Sequence, residues 1–227
     1  LYRAHPEWVL KVDGRPLETG RNQLVLNIAR PEVSDYLFQA VDAVLSRYKV
    51  AYVKWDMNRD HFASGDAEGR AVYGAQVRAL YALLDRLKAA HPTVEFESCS
   101  SGGGRVDLAI LRRTARVWTS DCTDALERAS IQRGVSRFIP PEVMGAHVSA
   151  SPNHQTGRRH TLAFRAITVM PGHFGVEMSP LSLSEAERSE LAAWIALHKR
   201  LRPLLHGGVT RLEGPANGRS TRAVIAP

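Results

Sequence analysis

Tyr52-Val53-Lys54-Trp55-Asp56-Met57-Asn58-Arg59 decides how this chain is read. With Val50 and Ala51 before it, the segment is an apolar, β-branched run that ends on charged and amide groups. Such a run marks a strand. Side chains alternate along a strand, so Lys54, Asp56 and Asn58 project to one side while Trp55 and Met57 take the other. A lysine and a carboxylate within about 7 Å of backbone make a polar pocket. The lysine charge favours ionised Asp56, the condition that a nucleophilic carboxylate needs. A structural ion pair at a strand end would use the same residues, and the segment alone leaves both readings open.

Outward from it, strands and helices alternate. Residues 23–28 form a short apolar run that reads as a core strand. Pro31 then opens a helix in which Val33, Tyr36, Leu37, Ala40, Val41, Val44 and Leu45 share one face. After the strand at 50–55, a helix is expected over 68–91, a strand over 94–98, a helix over 106–113, a strand over 116–120 and a helix over 124–133. Asp124 and Glu127 look like an N-cap and its capping-box partner. Strand 143–148, helix 158–169, strand 173–178 and helix 184–201 follow, the last opened by Ser184 with Glu187 three residues on. From Gly207 the texture changes to short β-like runs at 208–212 and 221–225 between Gly and Pro turns, which reads as the start of another domain. The expected division is therefore 1–206 and 207–227.

Alternation at this spacing predicts βαβ units and a parallel sheet, either a barrel or a doubly wound sheet. Distinctive polar groups gather just past the strands, at 56–59, 98–105, 120–124 and 147–154. That is where a (β/α)8 barrel assembles its active site. A doubly wound fold usually carries a Gly-rich dinucleotide loop, but Gly102-Gly103-Gly104 lacks the G-x-G-x-x-G spacing. The expected class is α/β, with a (β/α)8 TIM barrel favoured.

A second carboxylate segment is Val117-Trp118-Thr119-Ser120-Asp121-Cys122-Thr123-Asp124. Asp124 has a structural task as helix cap, whereas Asp121 precedes the helix and has none. Two carboxylates at a barrel mouth are the arrangement of glycosidases, where one stays charged to attack and the other stays protonated to donate. Repulsion from ionised Asp56 would raise the pKa of Asp121, which suits the acid. Between the two lies Glu97-Ser98-Cys99-Ser100-Ser101-Gly102-Gly103-Gly104-Arg105, whose glycines allow backbone to approach a ligand closely. Its spacing is not that of a phosphate-cradling loop. Nine histidines yield no His-x-x-x-His pair with an acidic partner, so His61, His147, His154 and His160 read as ordinary polar residues rather than zinc ligands.

The bulk properties agree. No stretch of about 18 apolar residues could form a transmembrane helix, and the first residues lack signal-peptide design. The chain begins with Leu1 and looks cut from something longer. Two cysteines, Cys99 and Cys122, fit free thiols in a reducing, cytoplasmic compartment. The net charge of +7 is scattered over helix-like stretches and accompanies no nucleic-acid-binding motif.

Together, Lys-Trp-Asp-Met-Asn-Arg at 54–59, the Gly-rich loop and Ser-Asp-x-Thr-Asp at 120–124 resemble glycoside hydrolase family 36, the bacterial-type α-galactosidases. Supporting stretches lie at 20–26, 131–134, 144–149 and 152–157. The resemblance implies that Asp56 is the nucleophile and Asp121 the acid/base of a retaining enzyme. It places galactose-binding positions on Arg21, Lys54, Trp55, Met57, Asn58, Cys99 and Gly102. It further implies an incomplete barrel holding strands four to eight, with residues 23–28 in the connection before strand four and residues 207–227 beginning a C-terminal β-domain. No cofactor or metal, a galactose-containing oligosaccharide as substrate and a homo-oligomeric parent complete the expectation. Three missing strands would leave an open edge and an unfilled interior, so the 227 residues alone are expected to be unstable or inactive. A galactosyl-transferring enzyme of the raffinose-synthase kind, an α-N-acetylgalactosaminidase and a non-catalytic sugar-binding relic are the alternatives.

Overall fold

A computed structural model describes residues 1–61, 64–66, 68–207, 209–213 and 221–225. The chain divides into two compact units, Leu1–Ser101 with Arg105–Ala115, and Gly102–Gly104 with Arg116–Pro227.

In the first unit, α1 (Pro31–Arg47) starts where the sequence predicts, because Pro31 fixes the first helical φ while Arg30 stays extended. Strand β1 (Tyr52–Asp56) pairs in parallel with β2 (Glu95–Cys99), in a register that sets Lys54 opposite Glu97 and Asp56 opposite Cys99. Between them runs α2 (Tyr73–Ala90), which starts later than residue 68. The cause is local. The Asp66 carboxylate accepts hydrogen bonds from the amides of Glu68 and Arg70, and Gly69 adopts φ +74°, so these residues close a turn instead of a helix. Helix α3 shrinks to Leu108–Leu111, capped by Asp107, whose Oδ1 accepts from the amides of Ala109 and Ile110 at 2.8 Å. Leu80, Leu83, Leu84 and Leu87 of α2, Leu45 of α1, Phe96 of β2 and Ile110 of α3 form the core. Burying each such side chain contributes about 1.5–3 kcal/mol.

Residues 23–28 form no strand of their own. Single bridges link Gly20 to Gln23 and Val9 to Leu26. The apolar residues here line an irregular segment tied to the start of the chain by Leu10 N–H to Val25 O and Asn27 N–H to Trp8 O.

In the second unit, β3 (Arg116–Trp118), β4 (Met144–Ser149) and β5 (His173–Glu177) pair in parallel, β3 with β4 and β4 with β5. Helices α4 (Ala125–Val135) and α5 (Leu162–Val169) connect them, and α6 (Glu185–Gly207) follows β5. Asp124 caps α4 as expected, but Glu127 does not complete a capping box and instead takes the Arg158 guanidinium at 2.6 Å. Arg158 lies ahead of the helix, and α5 begins after Thr161, whose hydroxyl accepts from Phe164 N–H. Ser184 and Glu187 do form a reciprocal box at the head of α6. Ala146, Val148, Leu162, Val169 and Leu191 make the second core.

The chain ends in an antiparallel hairpin, β6 (Val209–Glu213) and β7 (Thr221–Ile225). Gly208, which heads the expected run at 208–212, and residues 214–220 and 226–227 of the expected β-domain lie outside the described residues. Among the described residues no helix is long and apolar enough to cross a membrane.

Candidate active site

In the first unit the end of β1 behaves as its alternation demands. Val53 and Trp55 pack against the apolar core, while Lys54 and Asp56 point the other way and are exposed. Asn58 Nδ2 donates to Asp56 Oδ2 at 2.7 Å, and Asn58 Oδ1 accepts from the Ser101 amide at 2.9 Å. These two bonds fix which way the Asn58 amide faces. Partial burial pushes the Asp56 pKa upward, yet hydrogen bonds from the Cys99 thiol and Asn58, the Lys54 charge and the Met57 N–H outweigh it. The carboxyl is held below the usual carboxylate range and is ionised at neutral pH. Lys54 is thus a lesser cause than the sequence suggests; the buried thiol opposite Asp56 comes before it.

Two further residues shape this cluster without having been read as site residues. Glu97, 1% exposed and opposite Lys54 in the register, places Oε1 4.0 Å from Lys54 Nζ. Arg105 donates through Nη2 to the carbonyls of Trp55 at 2.9 Å and Cys99 at 2.8 Å, and through Nε to Ser98 Oγ. One guanidinium therefore ties the ends of β1 and β2 together. Strand pairing is the signal that could have found Glu97; nothing in the sequence shows that Arg105 turns back under its own loop.

Lys54, Asp56, Asn58 and Cys99 are brought together. Met57 contributes its backbone, and the Trp55 side chain lies in the core. Arg21 stands exposed at φ 55° in the turn bridged by Gly20 and Gln23, which Arg59 braces through the carbonyls of Gln23 and Glu18.

In the second unit Asp121 is exposed, and Trp118 Nε1 donates to its Oδ1 at 2.9 Å. The Trp118 ring is 3% exposed and carries the Arg128 guanidinium 4.7 Å from its centroid. Arg128, itself buried, donates to Ser120 O and Gly145 O, which pins the backbone just before Asp121. Gly102, at φ +80°, presses on the same backbone: a Cβ there would sit 2.8 Å from Ser120 Cα and 2.9 Å from Asp121 N. The expectation was close approach to a ligand; the close approach shown is to Asp121's own main chain.

Asp124 is wholly structural. Its Oδ1 accepts the amides of Leu126 and Glu127, and its Oδ2 accepts the Thr156 hydroxyl at 2.5 Å. Burial alone would raise its pKa, but these bonds and the Arg158 charge pull it down to about 2. His160 faces Asp124 at 3.4 Å and His147 faces Glu177 at 3.3 Å. Among the described residues no group of three or more His, Cys, Asp or Glu could hold a metal ion.

The first unit thus presents an ionised strand-end carboxylate among Lys54, Asn58 and Cys99. The chain belongs to the melibiase family, whose model matches residues 1–208. It is 46% identical over 228 residues to an α-galactosidase of Escherichia coli, covering 100% of this chain and 32% of that one. Identity to α-galactosidase 2 of Hypocrea jecorina is 42%, over 95% of this chain and 29% of the relative. The solved structure of the GH36 α-galactosidase AgaA of Geobacillus stearothermophilus matches 99% of this chain at a TM-score of 0.93 and 39% identity. A variant of AgaA solved with raffinose matches at a TM-score of 0.94 and 39% identity, with 32% of that chain covered. The resemblance to family 36 thus extends to the fold, and the chain spans about a third of the length of these relatives.

Proposed function

We propose that, within a full-length protein of its relatives' size, this chain supplies the catalytic carboxylates of a retaining α-galactosidase. The observation that carries the proposal is Asp56. It stands at the end of a parallel strand and is kept ionised by Cys99, Asn58 and Lys54, in a chain of the melibiase family. Residues 1–206 then form barrel strands four to eight with their helices, and residues 207–227 begin a C-terminal β-domain.

In this mechanism Asp56 attacks the anomeric carbon of a terminal α-linked galactose while Asp121 protonates the departing glycosidic oxygen. The first bond forms as the second breaks, leaving a covalent β-galactosyl enzyme. Asp121 then removes a proton from water, which attacks the same carbon and releases galactose with its α configuration. Lys54, Asn58 and Arg21 orient sugar hydroxyls, Cys99 and Gly102 are further substrate-binding positions, Met57 serves through its backbone N–H at Asp56, and Trp55 serves by anchoring the strand that carries Lys54 and Asp56 to the core. Raffinose bound by AgaA and the α-galactosidase names of the relatives support an oligosaccharide substrate.

Asp56→Gly in the full-length enzyme tests the reading. Turnover of a nitrophenyl α-galactoside should be lost and return with added azide, which replaces the missing nucleophile and yields β-galactosyl azide. Full activity in that variant without azide would remove Asp56 from the role.

A further inference from the structure

His147 has no part in the mechanism above, yet its ring is held on three sides within the second unit. On β4 it lies directly opposite Gly175 of β5. A Cβ at position 175 would fall 2.3 Å from His147 Cδ2 and 2.8 Å from Nε2, so the imidazole lies across the bare glycine. Two residues further along β5, on the same face, Glu177 Oε2 is 3.3 Å from His147 Nδ1. The imidazole in turn packs tilted against the Trp118 indole, with centroids 4.4 Å apart and planes inclined by 33°. Trp118 carries the Arg128 guanidinium on its ring as well, and its Nε1–H points at Asp121 Oδ1, 2.9 Å away.

From this we infer that His147, seated by Gly175 and Glu177, is a positioning residue for Asp121 that acts through the Trp118 indole. The inference rests on Asp121 being the acid/base. A side chain as exposed as Asp121 turns readily about χ1 and χ2, and proton transfer tolerates little error in direction. An indole N–H has no acceptor capacity and a fixed direction, so an immobile Trp118 holds Oδ1 in one place. With Oδ1 accepting that hydrogen bond, Oδ2 is the oxygen that carries the transferable proton. Gly175 is required because any side chain there would lift the imidazole, and with it the support under Trp118.

The test uses two leaving groups in the full-length enzyme. Raffinose needs a proton on its departing oxygen, whereas a 2,4-dinitrophenyl α-galactoside does not, and kcat/KM reports only the bond-breaking half of the reaction. Asp121→Ala is the reference, with an expected loss on raffinose of about 10²- to 10⁴-fold and little loss on the aryl substrate. Gly175→Ala and His147→Ala should each lower kcat/KM for raffinose about 10- to 100-fold and change the aryl value by less than about twofold. Trp118→Phe, which keeps the ring and loses the N–H, should behave the same way and covers the case in which a variant at 147 or 175 fails to fold. Equal losses on both substrates for the folded variants would overturn the inference. Equal losses for Asp121→Ala would instead overturn the acid/base assignment itself.

Discussion

Asn58 Nδ2 donates to Asp56 Oδ2 at 2.7 Å, while its carbonyl oxygen is held by the Ser101 amide. An amide fixed at both ends stabilises the charged carboxylate and cannot swing away from it. Removing the donor disfavours the ionised form, so the Asp56 pKa rises. Asn58→Ala should therefore move the acidic limb of the kcat/KM profile to higher pH and lower the plateau about tenfold or more. An unmoved acidic limb in the full-length enzyme would contradict the proposed role of Asp56.

Cys99 gives a sharper comparison, because the same backbone can carry a thiol, a hydroxyl or a methyl group opposite Asp56. Cys99→Ser keeps an O–H donor and should hold the acidic limb within about half a pH unit. Cys99→Ala loses the donor and should shift that limb upward, as Asn58→Ala does. Identical pH profiles for the two variants would show that the thiol does not act as a hydrogen-bond donor.

Asp124 separates stability from chemistry. Its pKa is depressed to about 2, below the roughly 3.9 of an unfolded aspartate, so its stabilisation is fully present above about pH 4 and is lost as the pH falls toward 2. Asp124→Asn retains a capping oxygen but not the charge, and Asp124→Ala removes both. At pH 7 the alanine variant should lose about 2 kcal/mol and the asparagine variant less. Both differences from the parent should shrink between pH 5 and about pH 2 in urea-unfolding midpoints, since the parent's aspartate protonates there.

Gly102→Ala faces two penalties at once, a φ of +80° and a Cβ 2.8 Å from Ser120 Cα. It should destabilise by about 1–3 kcal/mol and, by displacing the main chain at Asp121, lower kcat/KM for raffinose more than for the dinitrophenyl substrate. A variant with unchanged thermal midpoint and unchanged selectivity would refute the contact.

Leu84 is fully buried in the first core. Leu84→Ala should cost about 2–5 kcal/mol, read as a lower unfolding midpoint, with kcat/KM unchanged in the fraction that remains folded.

Much of this was legible beforehand because it depends on short-range rules. Period-2 alternation places Lys54 and Asp56 together, Pro31 fixes the start of α1, and Asp124 and Ser184 announce their helices. What the sequence hid depends on side chains reaching across space. Asp66 takes its turn out of α2, and Thr161 caps α5 so that Arg158, ahead of it, meets Glu127 instead. Glu97 meets Lys54 only once β1 and β2 are in register. Residues 23–28 look like a strand because apolar content cannot distinguish a sheet from a buried irregular segment. Trp118 looks like any core aromatic until the direction of its N–H is known.

Arg105 shows what such long-range contacts accomplish. Where paired strands end, the last carbonyls run out of ladder partners and must find other donors. By taking Trp55 O and Cys99 O onto one guanidinium, the fold ties the ends of β1 and β2 to one side chain. The same planar guanidinium also donates through Nε to Ser98 Oγ, so one side chain fixes three acceptors in a rigid geometry that a lysine ammonium lacks, and the ends of β1 and β2 are set together at folding.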